Sequence, residues 1–308
     1  MGYQYKIAAY ITAYEDTAAV MNCIKAIQSQ SVTVEKLLIV DNSKKQPLLD
    51  LVNQDHIYIK FHPENIGIGA GLTWAIAQSI EQEYDFLWAF DQDSIPEKDC
   101  LSQLLDIYET LKSSHHSIGI IAPTATDYRS KQNISAAIFN QDGFIPYQPV
   151  NPEKYYECDA PITSGSLIVL QAAKTIDPPR ADLFIDGIDL DYGLRLKHQG
   201  FHNFIVTSAI MQHNFGNPVK IKFFQQERSL QKYSALRHYY ICRNHTYLET
   251  RYAQGGYRIT SMMRRIKYML RSIFWIMFYD FDHQQLKLWA CFLGTYHGLK
   301  GQLGKTWL

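Results

Sequence analysis

The feature that most constrains the fold is an alternation of short apolar runs with stretches of helical length through the first half of the chain. This pattern is typical of βαβ units, and it predicts an α/β, Rossmann-like domain with a mostly parallel sheet. The predicted strands are Lys6–Ile11, Lys36–Val40, Ile57–Phe61, Phe86–Phe90, Ser117–Ile121, Ser166–Leu170 and Phe204–Ile210. The predicted helices between them are Asp16–Gln30, Gly69–Gln82, Glu97–Leu111 and Ile188–His198.

The charge of the chain changes sign near Pro218. Residues 1–218 carry 15 Lys and Arg against 26 Asp and Glu, whereas residues 219–308 carry 15 against 4. We expect a catalytic domain over residues 1–218, with an irregular insertion and one hairpin within Tyr128–Tyr156. We expect a basic, aromatic-rich helical extension over residues 219–308, with helices near Phe224–Arg251, Arg258–Tyr279 and His283–Leu299. Its charge suits an anionic membrane as well as it suits simple solvation.

The cysteines and apolar runs bear on where the chain works. Five scattered cysteines without C-x-x-C spacing predict neither a disulfide framework nor a zinc site, and they fit a reducing cytoplasm. We see no secretory signal and no run of the roughly 18 apolar residues that a membrane-spanning helix needs. We therefore expect a cytoplasmic protein that contacts the inner face of the cell membrane peripherally, through basic residues of the extension: Arg264, Arg265, Lys267 and Arg271.

Acidic and polar residues directly follow the predicted strands. Asp91-Gln92-Asp93 comes after the fourth strand, and in open α/β sheets the carboxyl ends of the strands bind ligands. Two carboxylates at this spacing can approach one hard cation, although an acidic turn is the plain alternative. The loops after the first two strands offer an aromatic ring, a hydroxyl and a carboxylate suited to a nucleoside: Thr12, Ala13, Tyr14, Asp41 and Asn42.

Four other segments carry candidate site residues. Asn65, Gly67 and Gly69 lie at the mouth of a helix, where the backbone can approach phosphate or ribose or simply pack closely. Acids at the start of another helix are candidate general bases or ordinary partners of the helix dipole: Asp189 and Asp191. His213 is a candidate metal or phosphate ligand, and Arg243 is a candidate diphosphate contact. A structural histidine and a surface ion pair are the alternatives for these two residues.

Taken in this order, the segments resemble the family 2 glycosyltransferases of the GT-A fold, and more narrowly the bacterial rhamnosyltransferases that use dTDP-L-rhamnose. The resemblance covers nearly the whole chain and includes Thr163-Ser164-Gly165 and the Gly294–Gly304 stretch. It implies that Thr12, Tyr14 and Asp41 hold the nucleoside, and that Thr163, Ser164 and Gly165 lie near the acceptor. It also implies an Mg²⁺ or Mn²⁺ ion on Asp93 and Asp91, assisted by His213 and Arg243. The general base falls on Asp189, with Asp191 as the substitute.

The resemblance implies an inverting transfer of L-rhamnose from dTDP-L-rhamnose to a glycan or lipid-linked glycan of a cell-surface polysaccharide. A UDP-sugar donor carrying galactofuranose, galactose or glucose is the nearest alternative. A sugar nucleotidyltransferase is disfavoured because the loop Thr12–Asp16 is acidic, whereas that class needs a glycine-rich, basic phosphate loop. A binding module without activity is disfavoured because carboxylates for both the metal and the base are present. We expect no nucleic-acid partner, and the extension is a candidate to contact a membrane or a second copy of the chain.

Overall fold

The computed structural model describes residues 4–45, 48, 55–214, 216, 218–223 and 226–307. The chain divides into two compact units, which we call the sheet unit and the helical unit. The sheet unit comprises residues 1–138, 146–181 and 188–214, and the helical unit comprises residues 139–145, 182–187 and 215–308. The division is therefore not a single cut near Pro218, because two short earlier segments group with the C-terminal residues.

A nine-stranded sheet forms the core of the sheet unit. The strands up to residue 213 are β1 (Ile7–Ala13), β2 (Lys36–Asp41), β3 (Ile57–Phe61), β4 (Phe86–Asp91), β5 (Ser94–Pro96), β6 (Ile118–Asp127), β7 (Ala136–Asn140), β8 (Gly143–Tyr147), β9 (Tyr155–Cys158), β10 (Leu167–Val169) and β11 (His202–His213). The sheet order is β3-β2-β1-β4-β10-β6-β11-β5, with β9 also paired to β11. Only β5, β9 and β10 run antiparallel to their neighbours, so the predicted mostly parallel sheet is confirmed.

The separate pair β7–β8 is the hairpin expected in the insertion, whereas β9 was not foreseen. The helices of the sheet unit are α1 (Thr17–Gln28), α2 (Gly67–Glu81), α3 (Cys100–Ser113), α4 (Leu170–Ala173) and α5 (Ile188–His198). Asp16 caps α1 by accepting a hydrogen bond from the Ala19 amide, which explains why the helix begins there. Every residue of β1 is buried, as expected for a strand covered by helices on both faces.

The helical unit contains β12 (Pro218–Phe223), β13 (Gln226–Gln231), α6 (Ala235–Tyr252), α7 (Tyr257–Tyr279) and α8 (Gln284–Lys300). The helix predicted from Phe224 is wrong in its first part, because β12 and β13 form an antiparallel hairpin there. Phe224 itself lies outside the described residues. The alternation of Val219 and Ile221 with lysines has the two-residue period of a strand, which explains the hairpin. The two later helices are confirmed within one residue at each end.

Close contact between α6 and α8 depends on two glycines. Gly294 and Gly298 lie one turn apart on α8, and a side chain at either position would overlap the carbonyl oxygen of Tyr239 or Arg243 on α6. Helix backbones approach this closely only where the side chain is absent. The glycine-rich end of the sequence therefore has a packing role in the helical unit.

Candidate active site

The ends of three neighbouring strands lie side by side in the sheet unit. Thr12 of β1 pairs with Asp91 of β4 on one side and with Val40 of β2 on the other. Ala13 pairs with Asp41 at the end of β2. Because these strands are parallel, their carboxyl ends share one edge of the sheet, where open α/β sheets bind ligands. The predicted convergence of the nucleoside and metal residues on one edge is present in the structure.

Three potential metal ligands meet at this edge. Each of Asp91, Asp93 and His213 offers one ligand atom, and these atoms lie within 4.8 Å of one another. The short strand β5 folds back onto β11 and pairs Ser94 with His213, which brings together residues 119 positions apart in sequence. His213 Nδ1 lies 3.5 Å from Asp93 Oδ1. Two carboxylates and an imidazole form a donor set suited to Mn²⁺ or Mg²⁺.

A pair of buried hydroxyl groups holds this cluster in place. The Ser94 hydroxyl lies 2.7 Å from His213 Nδ1 and 2.6 Å from the Ser164 hydroxyl. Ser164 Oγ also accepts a hydrogen bond from the Asp91 amide, at 2.9 Å. Hydrogen bonds to the groups that carry metal ligands fix the orientation of those ligands. Ser94 was absent from the predicted site, although its place directly after Asp93 is a signal that could have identified it.

The next residue, Gly165, is in the left-handed region with φ +80°. A Cβ there would lie 2.6 Å from Met211 Sδ and 2.7 Å from Pro123 Cγ, so only glycine fits. Its carbonyl oxygen accepts a hydrogen bond from the Trp88 indole. Ser164 and Gly165 therefore have supporting positions beside the sheet, and Thr163 lines a small crevice.

The acids of the cluster contribute to a raised pKa at a neighbouring thiol, that of Cys23. The Cys23 thiol is buried on α1, with its sulfur 3.9 Å from the Asp91 carbonyl oxygen. Burial, and then the negative charges of Asp93 and Asp91, raise the pKa of this thiol well above its usual value. The two neighbouring carboxylates of Asp91 and Asp93 would favour a bound cation.

The buried carboxylate of Asp41 has one oxygen that accepts a hydrogen bond and one that does not, among the described residues. Its side chain is fully buried, and Oδ1 accepts a hydrogen bond from the Ser43 amide at 3.0 Å. Oδ2 has no hydrogen-bond partner among the residues that the structure describes. Leaving a buried carboxylate oxygen unpaired is costly, so a ligand N–H or hydroxyl at this position would be stabilising. A nucleoside base or ribose supplies such donors.

The loops beside Asp41 are held by side-chain amides. Gln92 accepts a hydrogen bond from the Tyr14 amide and donates one to its carbonyl oxygen, which leaves the Tyr14 ring half-exposed. Asn42 Oδ1 accepts from the Ile66 amide, and Asn65 Oδ1 accepts from the Gly67 amide. Gln92, Asn42 and Asn65 thus shape the loops, while Tyr14 is free to stack on a ligand.

Close packing explains why residue 69 is a glycine. A Cβ at Gly69 would lie 2.5 Å from the carbonyl oxygen of Arg180, so the residue lets α2 approach that segment. Gly67 has φ +81° at the start of α2, where the chain turns into the helix. The glycine at position 69 is therefore explained by close packing, and it does not require a bound phosphate.

The two candidate bases differ sharply in environment. Asp189 is partly buried and lines the same crevice as Thr163, together with Tyr192 and Ser166. Asp191 is 2% exposed, and its carboxylate accepts a hydrogen bond from Arg195 Nε at 2.8 Å. The Arg195 guanidinium is anchored in turn by the carbonyl oxygens of Asp177 and Pro178. Asp191 is therefore a structural ion-pair partner, and Asp189 is the more exposed of the two acids.

Arg243 does not have the environment expected of a diphosphate ligand. It is fully buried in the helical unit, and its five N–H groups all have acceptors there. These acceptors are the Asn244 amide oxygen, the Thr306 hydroxyl and the carbonyl oxygens of Asp182, Leu183 and Gly304. The structure thus contradicts the predicted diphosphate contact, since no donor is left for phosphate. Together with Asn244, Arg243 holds residues 182–187, which lead directly into α5.

Two of the four basic residues expected to face a membrane are engaged elsewhere in the helical unit. Arg265 is 5% exposed and lies 3.5 Å from the Glu249 carboxylate. Arg264 bonds to Asp142 and to the Phe144 carbonyl oxygen. Lys267 and Arg271 are exposed. Within the described part of the chain, no helix is both long enough and apolar enough to cross a membrane.

Comparison with known proteins bears directly on this site. Residues 9–161 match the family model described as Glycosyl transferase family 2, and the match includes Thr12, Asp41, Asp91 and Asp93. The matched segment comprises 153 of the 308 residues of the chain. No curated protein sequence matches the chain. The mixed sheet, the helical C-terminal region and the solved structures below establish the GT-A fold.

Three solved structures are similar in fold, at low sequence identity. A structure of GalNAc-T7 with UDP, GalNAc and Mn²⁺ matches with a TM-score of 0.55 and 11% identity over 68% of this chain. S. aureus TarS 1-349 in complex with UDP has a TM-score of 0.54 and 12% identity, covering 96% of this chain and 92% of that chain. PcManGT, a mannosyltransferase from Pyrobaculum calidifontis solved with GDP-Man and Mn²⁺, has a TM-score of 0.55 and 9% identity, covering 97% and 88%.

The length of the match differs among these structures. The chain spans 44% of the GalNAc-T7 chain and 41% of a longer TarS chain. The chain thus has the GT-A fold, and two of the similar structures were solved with Mn²⁺.

Proposed function

We propose that this protein is an inverting, divalent-metal-dependent glycosyltransferase that transfers L-rhamnose from dTDP-L-rhamnose to a hydroxyl of a glycan or lipid-linked glycan. The convergence of Asp91, Asp93 and His213 at the strand ends supports the proposal most directly. Those residues lie next to Thr12 and, through it, to the strand that ends at the buried Asp41. A cation site beside polar residues at the strand ends, Thr12 and Asp41, suits the diphosphate and nucleoside of a sugar nucleotide. The choice of rhamnose rests on the sequence resemblance alone.

In this proposal Asp91, Asp93 and His213 hold Mg²⁺ or Mn²⁺ on the diphosphate of the donor. When bound, the ion stabilises the negative charge that develops on the departing nucleoside diphosphate. Asp41 accepts a hydrogen bond from the base or ribose through Oδ2, and the Tyr14 ring stacks on the nucleoside. Ser94 and Ser164 keep the ligand carboxylates in position through the contacts described above.

Asp189 acts as the general base. It takes the proton of the acceptor hydroxyl as that oxygen attacks the anomeric carbon, while the bond from this carbon to the diphosphate oxygen breaks. A single displacement of this kind inverts the configuration of the sugar. Thr163 lines the same crevice as Asp189 and is placed to orient the acceptor hydroxyl.

A donor screen tests the proposal. Thermal unfolding is measured with dTDP-, UDP- and GDP-sugars, each with and without Mn²⁺, because only ligands that bind the folded state raise the midpoint. We expect the largest rise with dTDP-L-rhamnose plus Mn²⁺ and slow release of dTDP from that donor. Hydrolysis of UDP-galactose, UDP-galactofuranose or UDP-glucose without any turnover of dTDP-L-rhamnose would show that the donor is a UDP-sugar. Cleavage of a nucleoside triphosphate by a sugar phosphate would instead indicate nucleotidyl transfer.

We further propose that α7 rests on the surface of an anionic membrane. An exposed apolar stripe runs along α7 and recurs about once per helical turn: Ile259, Met262, Met263, Ile266, Leu270, Phe274, Met277 and Phe278. Basic residues Lys267 and Arg271, both exposed, flank the stripe. An apolar stripe with basic flanks is the pattern of a helix that lies in the membrane interface.

Co-sedimentation with phosphatidylglycerol vesicles tests this contact. We expect binding by the unmodified protein and at least a tenfold loss when Leu270, Phe274 and Phe278 are all replaced by serine. A matched control replaces three exposed apolar residues of the sheet unit, Tyr58, Tyr128 and Val150, by serine and keeps full binding. Equal vesicle binding by both triple variants rules out the membrane contact through α7. A dimer that dissociates only in the α7 variant would identify a second copy of the chain as the partner.

A further inference from the structure

A side-chain amide connects the loop after β1 with the turn between β4 and β5. This turn consists of Gln92 and Asp93. Gln92 Oε1 accepts a hydrogen bond from the Tyr14 amide at 2.6 Å, and Gln92 Nε2 donates one to the Tyr14 carbonyl oxygen at 3.0 Å. Two opposite residues of an antiparallel ladder exchange the same pair of bonds. The Gln92 side chain thus takes the place of a strand partner for Tyr14, which follows the last residue of β1.

The turn that carries Gln92 is anchored at both ends. Before Gln92, the Asp91 amide donates a hydrogen bond to Ser164 Oγ at 2.9 Å. After the turn, the Ser94 hydroxyl lies 2.6 Å from the same Ser164 hydroxyl. A two-residue turn with both ends held restricts where the Gln92 amide can reach, so its contact with Tyr14 needs little further loss of conformational entropy.

On its other side, the loop after β1 is held by the residues that follow β2. The Glu15 amide donates a hydrogen bond to Ser43 Oγ at 2.7 Å, and the Glu15 carboxylate accepts one from the Lys44 amide at 2.8 Å. Glu15 has φ +51°, in the left-handed region that residues with a side chain rarely adopt. Such a conformation persists only where surrounding contacts fix it. Tyr14 is therefore followed by a residue held on the β2 side and is itself held by Gln92 on the β4 side.

The ring of Tyr14 is exposed although its peptide is fixed. Its relative exposure is 48%, while both the amide and the carbonyl oxygen of the residue are bonded to Gln92. An aromatic ring on a fixed backbone loses little freedom when it stacks on a nucleoside base, which favours binding. A direct contact between Gln92 and the diphosphate is the alternative. It is less favoured because both polar atoms of the Gln92 amide already bond to Tyr14.

We propose that Gln92 is a positioning residue for nucleotide binding, which acts through the Tyr14 ring and does not touch the donor. The inference rests on the proposed function, in which Tyr14 stacks on the nucleoside. Loss of the Gln92 amide frees the Tyr14 peptide, so affinity for the nucleoside falls while the metal and diphosphate contacts are kept. Glutamate at position 92 accepts from the Tyr14 amide but has no N–H for its carbonyl oxygen, so it replaces one of the two bonds.

Two probes separate this role from a contact with the diphosphate. Calorimetric titration measures the Kd of dTDP and of inorganic pyrophosphate, each with excess Mg²⁺, and UDP replaces dTDP if the unmodified protein binds only UDP. In Gln92→Leu we expect the Kd of the nucleotide to rise about tenfold, because two hydrogen bonds that hold the loop are lost, and the Kd of pyrophosphate to change by less than about twofold. Gln92→Glu should lie between the unmodified protein and Gln92→Leu for the nucleotide.

The matched control is Gln78→Leu. Gln78 is a partly buried glutamine of α2, and its side-chain amide donates a hydrogen bond to the Glu81 carboxylate at 3.0 Å. The substitution removes the same amide from the sheet unit without touching the loop after β1. It should leave both Kd values unchanged.

A double-mutant cycle tests whether Gln92 acts through the ring. Tyr14→Ala keeps the backbone groups that Gln92 bonds but removes the aromatic side chain. In the Tyr14→Ala background we expect Gln92→Leu to weaken nucleotide binding by about twofold or less, against about tenfold in the unmodified background, because residues that act together are not additive. Equal losses in the two backgrounds overturn the proposal, since they show an effect that is independent of the ring.

The remaining outcomes also decide the proposal. An unchanged nucleotide Kd in Gln92→Leu overturns it, and an equal loss of pyrophosphate affinity overturns it by assigning Gln92 to the diphosphate. If Gln92→Leu does not fold, Gln92→Glu carries the same comparison. An unmodified protein that binds neither dTDP nor UDP overturns both this inference and the proposed function. Normal nucleotide binding without the expected effect of Gln92 overturns the inference alone.

Discussion

The acids at the strand ends of the sheet unit differ from the buried acids of the helical unit. At the strand ends Asp91 and Asp93 converge with His213 within 4.8 Å, which places two like charges together. In the helical unit each buried acid lies beside a cation: Glu249 is 3.5 Å from Arg265, and Asp280 is 2.9 Å from Lys287. Clustered like charges are unfavourable unless a ligand compensates them, whereas buried pairs satisfy each other. The first arrangement indicates function, and the second indicates structure.

Loss of one clustered acid is expected to have the largest effect on activity and almost none on folding. Asp93→Asn keeps the size of the side chain but removes a charge from the cation site. We expect transfer to fall by about 10³-fold or more, because metal stabilisation of a leaving group contributes several kcal/mol. The Mn²⁺-dependent rise in unfolding temperature should disappear with it.

The control for Asp93→Asn is Asp99→Asn, an exposed acid six residues away at the start of α3 whose side chain makes no capping hydrogen bond. It should retain both turnover and the response to Mn²⁺. An Asp93→Asn enzyme with unchanged turnover and divalent-ion binding would contradict the whole assignment of the metal site.

The two acids of α5 allow the same comparison within one helix. Asp189→Asn removes the proposed base from the crevice, and we expect kcat to fall by about 10³-fold while the donor Kd is kept, because general bases contribute roughly this much. Asp191→Asn breaks the buried pair with Arg195, so we expect it to lower the unfolding temperature instead. Steady-state kinetics and thermal unfolding of both variants measure the contrast. A loss of kcat confined to Asp191→Asn would reverse the assignment of the base.

The strand-end residues could be predicted from sequence because a parallel sheet brings successive strand ends to one edge. Thr12 and Asp91 therefore had to be neighbours once β1 and β4 were recognised. Arg243 could not be predicted in this way, because its acceptors at Asp182 and Gly304 are about 60 residues away in sequence. The sequence around Arg243 reveals the arginine, but it does not reveal which carbonyl oxygens will surround its guanidinium.

The hairpin β12–β13 escaped prediction for a related reason. Its strands are short, and the helix α6 begins within a few residues of β13. The helical spacing of apolar residues in α6 was therefore extended back over the hairpin. The pairing of Ser94 with His213 was also out of reach, since the three-residue strand β5 exists only through its contact with β11. Contacts that are distant in sequence decide both features.

Arg243→Lys tests the structural side of the comparison. Lysine keeps the charge but cannot serve five acceptors in a planar fork, so carbonyl oxygens of Asp182, Leu183 and Gly304 lose donors. We expect a loss of roughly 3 kcal/mol in the free energy of unfolding, measured by urea denaturation. The Kd for the donor nucleotide, measured well below the unfolding temperature, should be unchanged. A nucleotide affinity that falls tenfold or more with normal stability would restore Arg243 to the phosphate site.

Acid sensitivity should arise in the helical unit through His238. Its pKa in the folded protein is lowered from 6.5 to about 4 by burial and by Lys287, with the opposing carboxylate of Asp280 nearby. Below pH 6.5 the unfolded chain binds a proton that the folded chain does not, so stability falls until about pH 4 and then levels off. The loss reaches roughly 3 kcal/mol for this group.

His238→Gln removes this titration, and urea denaturation between pH 7 and pH 4 should show a shallower decline than in the unmodified protein. His245, whose pKa burial lowers to about 3, is present in both proteins and cancels in the comparison. Parallel stability curves for the two proteins would show that His238 is protonated as readily in the folded chain as in the unfolded one.

The smallest expected effect concerns the contact between α6 and α8. Gly294→Ala places a methyl group against the Tyr239 carbonyl oxygen, which is backbone and can move away only if the helices separate. Overpacking of this kind costs about 1–3 kcal/mol, offset in part by the better helix propensity of alanine. Gly256→Ala is the matched control, because a Cβ there meets nothing within 4 Å. Thermal unfolding should show a lower midpoint for Gly294→Ala alone, and equal midpoints would mean that the two helices are less tightly packed than their glycines indicate.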